Sequence, residues 1–182
     1  MKPFTLLLLL VLSGISADAM QQPKLPKIAY GTDSCNDEVK CKKNLLNAVQ
    51  AGFRMFDLAL SYNNVELVGK ALREATVATE GVTMDNLVLC FKIMPSFATN
   101  LNSYAEQIET ACKLVRPVGK PFDVVMLHQV PVDDKELSVH RSLPKKLATH
   151  IGISNVDKEY LKQHGDKGML LHNCYIFSSP FY

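Results

Sequence analysis

No basic stripe runs through this sequence, and no cluster of Lys or Arg alternates with aromatic residues. The formal charge is only +2 over 182 residues. Both facts exclude the electrostatic footprint of a nucleic-acid-binding protein. Metal-ligand spacing is missing as well. Five cysteines, Cys35, Cys41, Cys90, Cys112 and Cys174, stand without the further ligands that a zinc site requires. No internal repeat or low-complexity tract divides the chain, and no apolar run reaches the roughly 20 residues needed to cross a bilayer. What remains, 47% hydrophobic and 21% charged, is the composition of one globular domain with a core of its own.

The N-terminus has a separate logic. Lys2 precedes "FTLLLLLVL" (4–12), and Ala17-Asp18-Ala19 follows with the small-residue pattern of a cleavage site. This predicts a secretory signal peptide over residues 1–19 and a mature chain of 20–182, with no membrane association after cleavage. The expected location is the secretory-pathway lumen or outside the cell. In such an oxidising compartment an odd number of cysteines leaves at least one unpaired. Cys35 and Cys41 are close enough in sequence to bridge a loop to the next helix. Cys90 and Cys174 sit in apolar runs and read as buried small hydrophobes.

Beyond residue 25 the pattern alternates. "PKIAYGT" (26–32), "FRMFD" (53–57), "NLVLCFK" (86–92), "FDVVMLH" (122–128), "THIGISN" (149–155) and "GMLLHNCYIF" (168–177) read as strands. Between them lie amphipathic helices. One carries Cys41, Leu45, Ala48 and Val49 on one face and stops at Gly52; the next carries Leu67, Val68, Ala71 and Leu72. A third is marked by Leu101, Tyr104, Ile108, Ala111, Cys112 and Val115, with a capping box expected from Ser103 to Glu106. Residues 129–148, interrupted by Pro131 and Pro144, read as irregular, and "DKEYLKQHG" reads as a short helix. Strands apolar on both faces that alternate with helices predict a parallel sheet covered by helices.

Three of the apolar runs end in an ionisable residue, Asp57, Lys92 and His128. A fourth ends in Ser154-Asn155 and the first in Gly31-Thr32. In a parallel sheet or barrel these ends share one face, where barrel enzymes place their chemistry. Each has a plainer reading: Asp57 and Lys92 as a structural ion pair, His128 as a core histidine, Tyr62 as a loop aromatic. Five polar ends in register are hard to explain by packing alone. The set also suits one reaction. A phenol has a pKa of roughly 10, a nearby ammonium favours its phenolate, and a carboxylate holds that ammonium in place. With a histidine to hydrogen-bond a carbonyl oxygen, the four residues can protonate a carbonyl as a hydride arrives.

The same residues carry a family resemblance. "AGFRMFDLALSYNNVELVGKALRE" (51–74) resembles the aldo-keto reductase signature, with Gly-Phe-Arg before the catalytic Asp and the Tyr five residues after it. "LVLCFK" resembles the strand ending in the catalytic Lys, "DVVMLHQVP" the motif with the catalytic His, and "IGISN" the stretch that holds the nicotinamide carboxamide. Order and spacing agree from about residue 26 to 156. The resemblance implies a TIM-barrel-type (β/α)8 fold and NADPH-dependent reduction of an aldehyde or ketone, with no metal. It assigns Tyr62 as general acid, Asp57 and Lys92 as its tuning pair and His128 as carbonyl orienter. Gly31, Thr32, Asp57, Ser154 and Asn155 would bind the nicotinamide end of NADP(H).

The departures from that pattern are equally specific. A complete barrel of this type takes roughly 250 residues, and only six strands are expected here, so the barrel is incomplete. Strands seven and eight, which grip the cofactor phosphates in the family, have no counterpart. Cys174 stands where the family has a glutamine, the N-terminal hairpin is curtailed, the helix before "HIGISN" is shortened, and no Trp forms a pocket wall. An open six-stranded arc leaves unpaired edges that favour self-association. Two other readings therefore stand beside the reductase: a secreted, non-catalytic relative acting as a binding module, and a fragment of a longer protein.

Overall fold

A computed structural model describes residues 25–116, 120–157, 159, 160, 162 and 170–172. The expected signal peptide, Cys174 and most of the helix expected from "DKEYLKQHG" lie outside the described residues. Six strands form one parallel sheet in sequence order: β1 (Tyr30–Gly31), β2 (Met55–Ala59), β3 (Val88–Ile93), β4 (Phe122–Leu127), β5 (Ala148–Ser154) and β6 (Leu170–His172). Helices α1 (Glu38–Gln50), α2 (Val65–Val77), α3 (Leu101–Val115) and α4 (Asp134–Arg141) are the crossovers. This is the α/β arrangement of an incomplete (β/α)8 barrel.

Alternation along each strand sorts the side chains. Phe56 and Leu58, Leu89, Phe91 and Ile93, Val125 and Leu127, and Ile153 pack into one buried cluster with the apolar faces of the helices. The opposite face is built differently. Low on it, Cys90, Val124 and Met126 form a smaller buried cluster with Leu25 and Met55 packed against it. On the same alternation come Asp57, in register with Cys90, and Lys92, in register with Met126. The polar residues thus stand among apolar neighbours.

Helices α2 and α3 approach closely at Gly69. A Cβ built there would lie 2.6 Å from the Leu114 carbonyl oxygen and 2.8 Å from Val115 Cα. Arg73 closes the same seam, its Nη1 donating to the carbonyls of Leu114 and Val115 at 2.8 Å each. At the N-terminal end of the sheet, buried Arg116 donates to the carbonyls of Leu87 and Pro121 and to Asp123 Oδ2, which also accepts from Leu89 N–H.

Three local expectations are corrected. The first strand spans only two residues, because Pro26 lacks a donor and Ile28 is left exposed at the sheet edge. Helix α3 is capped by Asn100, whose Oδ1 accepts from Asn102 and Ser103 N–H, so Ser103 lies inside the first turn and is not the cap. The segment expected to be irregular holds α4. Asp133 caps it through Glu136 N–H, Glu136 reaches back to Val132 N–H, and Pro144 falls beyond its end. Among the described residues, no helix is long and apolar enough to cross a membrane.

Candidate active site

Lys92 lies on β3 with 2% of its side chain exposed. Its ammonium donates to Asp57 Oδ2 at 2.7 Å and to the Tyr62 hydroxyl at 2.9 Å. The pair expected within salt-bridge reach is therefore in direct contact. The strands run slightly past the residues expected to end them: β2 continues to Ala59 and β3 to Ile93, so Asp57 and Lys92 are inward-facing strand residues near the rim. Tyr62 reaches them from a 3-10 turn, Leu60–Tyr62, which reverses the chain at Asn63 with φ 54°. An asparagine tolerates that left-handed conformation better than most residues.

His128 follows β4 directly and extends its pairing, its N–H donating to the Ile93 carbonyl at 2.9 Å. Its ring stands edge-on to the Tyr62 ring, centroids 5.6 Å apart. Asp57, Tyr62, Lys92 and His128 thus converge at the C-terminal end of the sheet.

The electrostatics of this group are set by burial against charge. Burial opposes the Lys92 charge, but the charge and hydrogen bond of Asp57 and the bond to Tyr62 outweigh it, holding the ammonium above its ordinary range. For Tyr62 the balance falls the other way. Burial raises its pKa, and the hydrogen bond and charge of Lys92 pull it back only in part, with Asp57 and Asp33 adding to the rise. The phenol is therefore protonated at rest, as a general acid must be; Lys92 pulls toward phenolate as expected, and burial outweighs that pull. His128 is pushed below its ordinary range by burial and then by the Lys92 charge, so its imidazole is neutral near pH 7.

The residues expected at the cofactor divide into two groups on either side of the lysine. Gly31 pairs with Asp57 across β1 and β2, and Thr32 donates both its N–H and its hydroxyl to the Asp57 carbonyl, at 3.1 and 2.9 Å. On the other side, Asn155 takes a left-handed φ of 56° and its amide donates to the His128 carbonyl at 2.7 Å. Ser154, next to it, is fully buried. Its hydroxyl and Asp57 Oδ1 have no hydrogen-bond partner among the described residues. Buried polar atoms left in that state are uncommon and call for a reason.

Sequence reasoning missed two participants. Asn64 donates to the Thr32 carbonyl at 2.8 Å and ties the loop after β1 to the start of α2. Its place just before a helical pattern was a usable signal. Ser61 places its hydroxyl 3.1 Å from His128 Nδ1. No local pattern links residues so far apart in the chain.

Comparison with known proteins is consistent with this geometry. The family described as "Aldo/keto reductase family" matches residues 27–172. Among solved structures, the aldose reductase of Schistosoma japonicum is 20% identical with a TM-score of 0.67, and 84% of this chain covers 58% of that one. The aldose reductase of Giardia lamblia is 19% identical with a TM-score of 0.66, covering 81% of this chain and 56% of its own. An aldo/keto reductase of Brucella melitensis is 22% identical with a TM-score of 0.64, covering 83% and 59%. At these identities the likeness concerns the fold. The chain spans a little over half the length of these structures. No curated protein matches it.

Proposed function

The chain belongs to the aldo/keto reductase family, and from that premise we propose that it reduces aldehydes or ketones with NADPH, using Tyr62 as general acid. The observation that carries the reading is the single ammonium shared by Asp57 and Tyr62, at 2.7 and 2.9 Å. Because Lys92 donates to the phenolic oxygen, the Tyr62 O–H is free to point away, toward a carbonyl oxygen. As the proton leaves, the bond from Lys92 becomes charge-assisted and strengthens. Lys92 therefore acts most on the state in which Tyr62 has lost its proton. That is the form of interaction that speeds a reaction. Asp57 holds the ammonium, and neutral His128 offers a ring N–H to the carbonyl.

NADPH would supply the hydride. The residues present fit its nicotinamide end, since Asp57 Oδ1 and the Ser154 hydroxyl are buried polar atoms awaiting partners, and a carboxamide brings both donors and an acceptor. Ser154, Asn155 and Asp57 would hold that group, with Gly31 and Thr32 as the wall beside it. The Thr32 hydroxyl is already committed to the Asp57 carbonyl and serves by fixing the strand end. No described residue is assigned to the phosphates.

The test is an NADPH titration followed by nicotinamide fluorescence, with turnover of an activated aldehyde. Tyr62→Phe keeps the ring and removes the proton, and should lower turnover by about 10²- to 10⁴-fold. A second reading is a non-catalytic binding module. It takes over if saturating NADPH gives no turnover and Tyr62→Phe changes nothing. Light scattering would then test self-association, since β1 and β6 each pair on one side only among the described residues. Export belongs to the proposal as well: secreted protein should begin at Met20, and retention of residues 1–19 in the cytosol would overturn it.

A further inference from the structure

We infer that Ser61 is a positioning residue whose hydroxyl donates to His128 Nδ1 and so keeps the ring proton on Nε2, where a substrate carbonyl can use it. The inference rests on the reductase reading for its consequence, though not for its geometry. Ser61 Oγ and His128 Nδ1 are 3.1 Å apart. The Ser61 hydroxyl makes one hydrogen bond among the described residues, and it is to the histidine and not to its own turn.

A neutral imidazole has one N–H and one bare nitrogen, and the partner of one nitrogen decides the state of the other. If Nδ1 carried the proton, Nε2 would be an acceptor and would repel a carbonyl oxygen. If Nδ1 accepts, Nε2 becomes the donor that the reaction needs. A serine hydroxyl can play either part, so the surroundings must choose. Burial, and after it the charge of Lys92, disfavours a second proton on the ring. The Asn155 amide is already committed to the backbone carbonyl of His128 and does not compete for the ring. Ser61 is the one side-chain donor at Nδ1 among the described residues. It also sits one residue before Tyr62, so a single turn presents the general acid and orients its neighbour. An aliphatic side chain at position 61 would leave Nδ1 to water and only the ring's own preference for the Nε2–H tautomer.

The tautomer can be read without cofactor or turnover. In the full chain labelled with 15N-histidine, a long-range 1H–15N correlation distinguishes a bare nitrogen from a protonated one, and loss of the signals in His128→Gln assigns them. Wild type should show a bare Nδ1 and a protonated Nε2. Ser61→Ala should shift both nitrogens toward averaged values, a change in tautomer ratio of roughly fivefold, the weight of one ordinary hydrogen bond. Ser61→Thr, which keeps the hydroxyl, should restore the wild-type pattern. Protonated Nδ1 in wild type, or identical spectra for wild type and Ser61→Ala, would overturn the inference whether or not the protein turns over. Where turnover is measurable, Ser61→Ala should lower kcat and leave the KM for NADPH in place. Unchanged kcat would overturn the positioning role. Absence of all turnover would count against the reductase reading alone.

Discussion

Tyr104 and His140 are joined by a 2.8 Å hydrogen bond inside the helical layer, and His140 Nε2 lies 3.0 Å from the Gly152 carbonyl. A carbonyl only accepts, so Nε2 carries the proton and Nδ1 accepts from the Tyr104 hydroxyl. The chain of bonds ties α3 and α4 to β5 and fills every position that His140 has. A second proton on the ring would face the Tyr104 oxygen and leave its hydroxyl without an acceptor. Burial, opposed in part by the bond to Gly152 and assisted by Arg141, holds His140 down to about 4.

That depression makes stability depend on pH. The unfolded histidine titrates near 6.5 and the folded one near 4, so below 6.5 the unfolded chain binds the extra proton. Stability should be level above pH 6.5 on this account and fall between pH 6.5 and 4. The full loss is on the order of 3 kcal/mol. Urea unfolding at pH 7, 6 and 5 measures it. His140→Leu should be less stable at pH 7 but should show a shallower fall, and an equal slope in both proteins would refute the assignment.

Gly69→Ala should destabilise the fold although Ala is the better helix former by about 1 kcal/mol. The added Cβ meets backbone atoms of α3 at 2.6 and 2.8 Å, which cannot swing aside as a side chain could. The helices must separate, stretching both bonds from Arg73. A net cost of about 1 to 3 kcal/mol is the usual result of such overpacking. A urea midpoint equal to or above wild type would show that the seam yields freely.

Cys35 and Cys41 lie side by side, 3% and 1% exposed, both with free thiols. Burial raises both, and Cys41 is pushed up to about 12, with the hydrogen bond its thiol donates to Cys35 adding to the rise. Almost no thiolate forms at neutral pH, so the folded pair should resist exchange. The unfolded chain has no such protection. Refolding with glutathione disulfide should link Cys35 to Cys41, releasing two glutathione thiols per bond formed. The link should add about 2 kcal/mol of stability. Equal reaction rates for folded and unfolded protein, followed by peptide mapping, would contradict the protection argument.

The fold was legible where periodicity is long. The apolar runs of β3 and β4 and the spaced faces of α1, α2 and α3 announce a parallel β/α sheet in the sequence itself. Helix α4 was not legible, because eight residues between two prolines give too few turns for a period to emerge. Its stability comes from the reciprocal bonds of Asp133 and Glu136. The cap of α3 was misread because "NLNSYAE" offers two polar starts, and only Asn100 precedes the first free N–H groups. At the site, residue types were visible from the strand ends, but the burial that raises the Tyr62 pKa against the pull of Lys92 was not. Nor was the contact of Ser61 with His128, which depends on how two distant loops meet.

The Asp57–Lys92 pair separates stability from function. Lys92 is 2% exposed and Asp57 14%, so removing one charge strands the other in a dry site. Asp57→Asn alone should therefore cost about 3 to 5 kcal/mol. The double variant Asp57→Asn with Lys92→Met removes both charges at nearly constant volume. Replacement of a whole buried pair is often neutral or stabilising, so the double variant should regain most of the lost stability. Wild type carries a raised Lys92 pKa, and its contribution is complete at neutral pH. That contribution is lost as pH rises through the folded pKa, above the ordinary lysine range, whereas the double variant should lack this alkaline loss. Chemical denaturation of the three proteins at neutral and alkaline pH, read against aldehyde turnover, distinguishes the two roles. A double variant as unstable as Asp57→Asn would mean that the ion pair itself holds the sheet together. A stable double variant without turnover would mean that the buried pair serves the proton of Tyr62.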